Sequence, residues 1–139
     1  MTTESRTLFV LMNHALNEQQ MDDAKASLGI SNFEYAPENV LNAWGYIPPH
    51  LSMWELKDFL KPVFSWLKDS LKPNDILLVQ GESIATYVVV DAVRAAFPLD
   101  NIRCVAATSE RVTEEVTLAD GSIKKTAVFK HIRYRAYYA

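Results

Sequence analysis

Three short apolar runs set the terms on which this chain can fold: residues 7–12, 76–79 and 102–107. Each is of strand length, and the middle one, Ile-Leu-Leu-Val, shows no alternation of apolar with polar side chains. An unalternated run of four to six residues suits a strand covered on both faces, which is the position of an inner strand in a parallel sheet. The first run ends abruptly at Asn13-His14, as a buried strand does on reaching the edge of its sheet.

Helical spacing fills the intervals. Asn17 followed three residues later by Gln20 has the form of an amino-terminal capping box, and Gly29 after Leu28 supplies a left-handed stop, so a helix is predicted between them. Residues 33–36 read as a second strand and residues 40–44 as a short helix, before Pro48 and Pro49 impose an irregular turn. From Ser52 onward Met53, Leu56, Phe59, Leu60, Val63, Phe64, Leu67 and Leu71 recur at three- and four-residue spacings. Pro62 falls inside that pattern and predicts a kink, or two abutting helices of which it opens the second. A further helix over residues 83–97 leads to the strand at 102–107.

The end of the chain changes character. Residues 111–118 and 123–137 are β-rich and joined by Asp120-Gly121, which predicts a hairpin with a two-residue type I′ turn. In that register Ala119 faces Ser122, Val116 faces Lys125 and Val112 faces Phe129. Strict alternation then puts Phe129, His131, Arg133, Arg135 and Tyr137 on one face of the last strand. The whole pattern predicts one domain, residues 1–139, of class α/β: a Rossmann-like three-layer sandwich with a mostly parallel sheet and a C-terminal antiparallel β-hairpin extension.

Composition narrows the function classes. No apolar stretch has the length of a bilayer span and the first residues are polar, so a cytoplasmic protein is expected, with no membrane contact. The single cysteine, Cys104, excludes an internal disulfide and reads as a buried strand position. A net charge of −3 argues against binding long nucleic acid. Charge is nevertheless divided: all 17 acidic residues precede Gly121, whereas Lys124, Lys125, Lys130, Arg133 and Arg135 follow it. Such a run fits a solvated face as well as a site for an anion.

Ligands of parallel sheets bind beyond the carboxyl ends of the strands, and that rule selects three segments. Asn13 and His14 follow the first strand, where a helix start also offers unpaired N–H groups. Gln80, Gly81, Glu82 and Ser83 follow the central strand, with Thr86 one turn on; Gly81 would let a ligand approach the backbone, and Ser83 is either a phosphate donor or a plain helix cap. Thr108, Ser109 and Arg111 lie between the fourth strand and the hairpin, with His131 and Arg133 on the paired strand. Arg111 would hold a phosphate through two hydrogen bonds; the alternative is a hairpin projecting into solvent or a dimer seam. Trp44, beside Gly45 and the prolines, is a candidate lid over a base. No dinucleotide or phosphate-loop fingerprint, nucleophile elbow or metal-ligand spacing occurs, so no cofactor and no metal site is expected.

The order Asn13-His14, Asp23-Ala24, Leu28-Gly29, Gln80-Gly81 with Ala85-Thr86-Tyr87, Ala107-Thr108 with Arg111, and Phe129-x-His131-x-Arg133-x-Arg135 resembles a family of small stand-alone ring nucleases associated with type III CRISPR systems. The resemblance implies a domain of the CRISPR-associated Rossmann fold (CARF) type, acting as a homodimer on a cyclic oligoadenylate, most simply cyclic tetra-adenylate. It also implies cleavage without a metal, a ribose 2′-hydroxyl attacking the adjacent phosphate, so that defence signalling is switched off. Arg111 would stabilise the phosphate charge, and His14, or His131 in second place, would move a proton. A protein that sequesters or senses the ring without cutting it is the alternative.

Overall fold

The structure, a computed structural model, describes residues 5–139. Along the chain run β1 (Thr7–Leu11), α1 (Glu18–Leu28), β2 (Asn32–Tyr35), α2 (Glu38–Gly45), α3 (Met53–Phe59), α4 (Lys61–Ser70), β3 (Ile76–Val79), α5 (Ser83–Ala96), β4 (Arg103–Thr117) and β5 (Ile123–Ala136). One five-stranded sheet results, in the order β2-β1-β3-β4-β5. β1 is parallel to β2 and β3, β3 is parallel to β4, and only β5 runs antiparallel to its neighbour. The class is therefore mixed α/β with a mostly parallel sheet.

Alternate residues of the inner strands feed two cores. Leu8, Val10, Ile76, Leu78 and Val105 point to one side and meet Ala24 of α1 and Ile30. Phe9, Leu11, Leu77, Val79 and Cys104 point to the other, against Val40 and Trp44 of α2, Val63 and Leu67 of α4, and Val89 of α5. Burying each such aliphatic side chain contributes roughly 1.5–3 kcal/mol, so covering both faces of β1 and β3 is the main driving force of the fold. Burial also pushes the Cys104 thiol up to about 12, which leaves it unreactive.

Local signals act as read. Asn17 accepts from the Gln20 N–H while the Gln20 side chain accepts from the Asn17 N–H, and Gly29 ends α1 at φ 66°. α3 and α4 abut at Leu60, with Pro62 in the first turn of α4, where its missing N–H leaves no helical bond broken.

The hairpin departs from expectation in three ways. β4 does not stop at Ala107: it continues as one strand of 15 residues, so residues 108–111 are strand rather than loop. The turn is not a two-residue type I′ turn. Leu118 and Ser122 bracket a three-residue loop, the Gly121 N–H bonding to the Leu118 carbonyl at 2.9 Å and the Leu118 N–H to that of Ser122 at 2.8 Å. Gly121 stands at φ 85°, the left-handed position of a G1 bulge. The register shifts by one residue as a result, so that Val112 faces Val128, Val116 faces Lys124 and Arg111 faces Phe129.

A second irregularity lies at the root of the hairpin. Thr108 pairs with Arg133 but Ser109 pairs with His131, leaving Ile132 as the extra residue of a bulge. Alternation along β5 is broken there, and His131 and Tyr134, three apart, both turn toward α1. Replacing Gly121 with Ala is expected to cost about 1 kcal/mol by forcing a side chain into the left-handed region. An added Cβ meets nothing within 4 Å, so the loss is purely conformational. Urea denaturation of Gly121→Ala and Gly121→Asn checks this: the asparagine variant should lose less, and equal stability of the two would reject the turn assignment.

Candidate functional site

β1 and β3 lie side by side, yet the chain leaves β1 toward β2 on one flank and β3 toward β4 on the other. The connections diverge at this point, the position beyond the strand ends at which parallel sheets bind their ligands. The Gln80 N–H bonds to the Leu11 carbonyl at 3.0 Å, extending the ladder one step and bringing the two departing loops together. Asn13, His14 and Ala15 are exposed between the buried anchors Met12 and Leu16. The Tyr35 hydroxyl accepts from the Leu16 N–H at 3.3 Å and fixes the far end of that loop. His14 is thus an exposed side chain on a short, tethered loop.

Gln80 is a clamp. Its amide oxygen accepts from the Ala107 N–H at 3.0 Å and its amide nitrogen donates to the Ala107 carbonyl at 3.4 Å, tying the end of β3 to β4 just before Thr108. The Tyr137 hydroxyl donates to the Val79 carbonyl from the same neighbourhood. Sequence reasoning did not single out Tyr137 for this tie, because the bond spans 58 residues and rests on the path of β5.

Gly81 is small for a reason other than a ligand. A Cβ there would come within 2.6–2.9 Å of the Trp44 indole, whose N–H donates to the Gln80 carbonyl at 2.9 Å. Trp44 is therefore buried core underpinning the β3 loop, and the expectation of a mobile lid is corrected: an indole with its ring packed and its N–H bonded has no freedom to swing. Asn13 lies on the same cluster, its side-chain oxygen 3.7 Å from the Cβ position of Gly45.

Glu82, not Ser83, caps α5. Its carboxylate accepts from the Ile84 and Ala85 N–H groups at 3.1 and 2.8 Å, which places a negative charge where a phosphate would otherwise sit. Ser83 is the first helical residue and exposed. Thr86 is buried on α5, beside a groove of about 280 Å³ shared with Ser83, Arg94, Tyr137 and Tyr138, and among the described residues its hydroxyl has no hydrogen-bond partner.

The third segment divides. Thr108 remains near the strand ends through the Gln80 clamp, its hydroxyl donating to the Arg133 carbonyl at 2.9 Å. Ser109 and Arg111 stand farther out on the exposed hairpin. The two strand-end loops themselves, residues 13–17 and 80–83, hold no Lys or Arg. His131 turns away altogether: only 7% exposed, it sits 2.7 Å from the Asp23 carboxylate through Nε2, while its backbone N–H donates to the Gln19 side-chain oxygen at 3.2 Å. Tyr134 completes the seam by donating to the Gln20 carbonyl at 2.9 Å. The geometry gives His131 the work of fastening β5 to α1 and leaves His14 as the histidine at the strand ends. Gln19, Asp23 and Ser27, spaced by four, form the polar stripe of α1 that receives it, a periodicity visible in the sequence but without a sign of its partner.

The Ser27 hydroxyl foremost, then His131 and the nearby Arg133 charge, holds the Asp23 carboxyl below its ordinary value against the opposing effect of burial. A depressed folded pKa contributes stability that is present above the unfolded value and disappears as pH falls through the folded one. Asp23→Asn should therefore unfold at lower urea than the parent at pH 7, with the difference shrinking as pH drops below about 4. A gap that stays constant down to pH about 2 would rule out ionised Asp23 as the fastener.

Among the described residues no helix is long and apolar enough to cross a membrane, and no three His, Cys, Asp or Glu side chains gather as metal ligands. A cavity of about 660 Å³ lies elsewhere, at the amino end of β4, lined by Arg94, Phe97, Asn101, Arg103 and Tyr138. A family model described as the uncharacterized protein MJ1673 family matches residues 6–135. The chain is 34% identical over 131 residues to the uncharacterized protein MJ1673 of Methanocaldococcus jannaschii, a match that spans 94% of this chain and 95% of that protein. No solved structure matches the chain.

Proposed function

The chain belongs to the uncharacterized MJ1673 family, and we propose that it is a ring nuclease that binds and cleaves a cyclic oligoadenylate beyond the ends of β1 and β3. The observation that carries the reading is that the loops after β1 and β3, which hold Asn13, His14 and Gln80, leave neighbouring strand ends joined by the Gln80 N–H to the Leu11 carbonyl, at the point where the connections diverge. Strand order and the two flanking cores support reading the fold as a Rossmann-like three-layer sandwich of the CARF type. A cytoplasmic homodimer, with two such strand-end sites sharing one ring of phosphates, completes the proposal.

In the proposed reaction a ribose 2′-oxygen attacks the adjacent phosphorus, the bond to the 5′-oxygen breaks, and the products are a 2′,3′-cyclic phosphate and a free 5′-hydroxyl. Alignment of the attacking oxygen, phosphorus and leaving oxygen supplies much of the acceleration. His14, exposed and close to the strand ends, is the group available to hand a proton to the leaving oxygen. Binding a polyanion there requires Glu82 to release the two α5 N–H groups, and requires cations that the strand-end loops lack; Arg111 and Arg133 on the hairpin strands are the candidates.

Incubating the protein with cyclic tetra-adenylate and a chelator, then resolving the products, tests the proposal. A linear product ending in a cyclic phosphate is expected, with His14→Ala slower by on the order of a hundredfold and His131→Ala altered chiefly in stability. Tight binding with no product would instead mean a protein that sequesters the ring. Neither binding nor cleavage would end the nucleotide reading.

A further inference from the structure

The cavity at the amino end of β4 plays no part in the proposed reaction. Arg103, which lines it, pairs with Ile76, the first residue of β3, so the cavity lies at the opposite end of that strand from the Gln80 loop. Its volume of about 660 Å³ is that of a small-molecule site. No acidic side chain lines it, and among the described residues neither Arg94 nor Arg103 forms an ion pair. Asp91, three residues before Arg94, borders the adjoining groove instead. Two unpaired cations brought to one cavity repel each other, and an anion held by both removes the repulsion.

The walls are set in place by the fold. Arg94 lies in the last turn of α5, where the helix carbonyls favour a cation, and its guanidinium sits 4.6 Å from the centre of the Tyr138 ring. That cation–π contact orients the guanidinium and leaves its fork of N–H donors open. The Tyr138 hydroxyl donates to the Ile102 carbonyl at 3.2 Å, and the Asn101 side-chain nitrogen donates to the Asn74 side-chain oxygen at 3.2 Å. Burial foremost pushes the Tyr138 hydroxyl above its ordinary value, while the charges of Arg94 and Arg103 both act against it, so the two guanidinia stand around one phenol. Phe97 and Ile102 add apolar surface to the same cavity.

We infer that this cavity is a second binding site, for a small organic phosphate whose phosphate group is held by Arg94 and Arg103 and whose apolar body rests against Phe97 and Tyr138. A phosphate monoester carries about two negative charges at pH 7 and three acceptor oxygens, which match two guanidinium forks better than a single carboxylate does. The inference goes beyond the proposed reaction and depends on none of its residues.

Titrating the full chain with phenyl phosphate, inorganic phosphate and benzoate, followed by calorimetry and by amide shifts, tests it. Phenyl phosphate should bind tightest, because inorganic phosphate lacks the ring and benzoate the second charge, and the largest shifts should fall on residues 94–103 and 136–138. Arg103→Gln should weaken phenyl phosphate by about tenfold, the loss of one charged hydrogen-bond donor. Arg94→Lys, which keeps the charge but not the fork, should weaken it by a smaller factor. Both side chains are exposed, so circular dichroism should match the parent. Lys124→Gln, which removes a cation from the distant hairpin, should bind as the parent does. No binding of phenyl phosphate at millimolar concentration, benzoate bound as tightly, shifts on residues 13–16 and 80–85 instead, or equal weakening by Arg103→Gln and Lys124→Gln would overturn the inference. A protein that binds phenyl phosphate here yet leaves cyclic tetra-adenylate unbound and uncut keeps this site and loses only the ring-nuclease reading.

Discussion

Everything in this molecule follows from two strands that tolerate no water on either side. β1 is almost wholly buried and β3 entirely so, and alternate side chains of each belong to different cores. Helices must therefore cover the sheet on both sides, and the connections must divide, α1 taking one face and α2, α4 and α5 the other. Once both faces are sealed, polar groups on the inner strands can meet solvent only at the strand ends. The meeting of the Asn13 and Gln80 loops at the strand ends is a consequence of that sealing, before any chemistry is asked of it.

The hairpin obeys a different constraint. It continues a sheet that has ended, so its register is set by its turn and by the bulge at Ile132 rather than by a core. That single extra residue decides the fate of His131. With unbroken alternation His131 and Tyr134 would face opposite sides; with the bulge they lie together against α1, where Asp23, Gln19 and the Gln20 carbonyl receive them. His131 is thereby made a fastener between β5 and α1, and the acid–base role in the proposed reaction rests on His14.

The strands, the Asn17–Gln20 capping box, the Gly29 stop and the break at Pro62 were legible in the sequence because each is a local signal: a run, a cap or a missing N–H. The loops that meet at the strand ends were legible too, since parallel order follows from alternating strands and helices. What escaped depends on contacts far apart along the chain. Gly81 looked like a residue kept small for a ligand, yet it is Trp44 that occupies the space, 37 positions away. Glu82 displaced Ser83 as the cap of α5, because its longer side chain folds back to two N–H groups at once. The Asp120-Gly121 pair fits a type I′ turn or a type I turn with a G1 bulge, and a difference of one residue shifts every partner along the ribbon.

The account stands on the strand-end loops being where an anionic ring binds. Amide shifts of the isotopically labelled protein, followed as cyclic tetra-adenylate is added, test this most directly. The account predicts that the largest movements fall on residues 13–16 and 80–85, as the loops engage phosphate and Glu82 lets go of the start of α5. Movements confined to the cavity beside Arg94 and Arg103, or none at all, would contradict it.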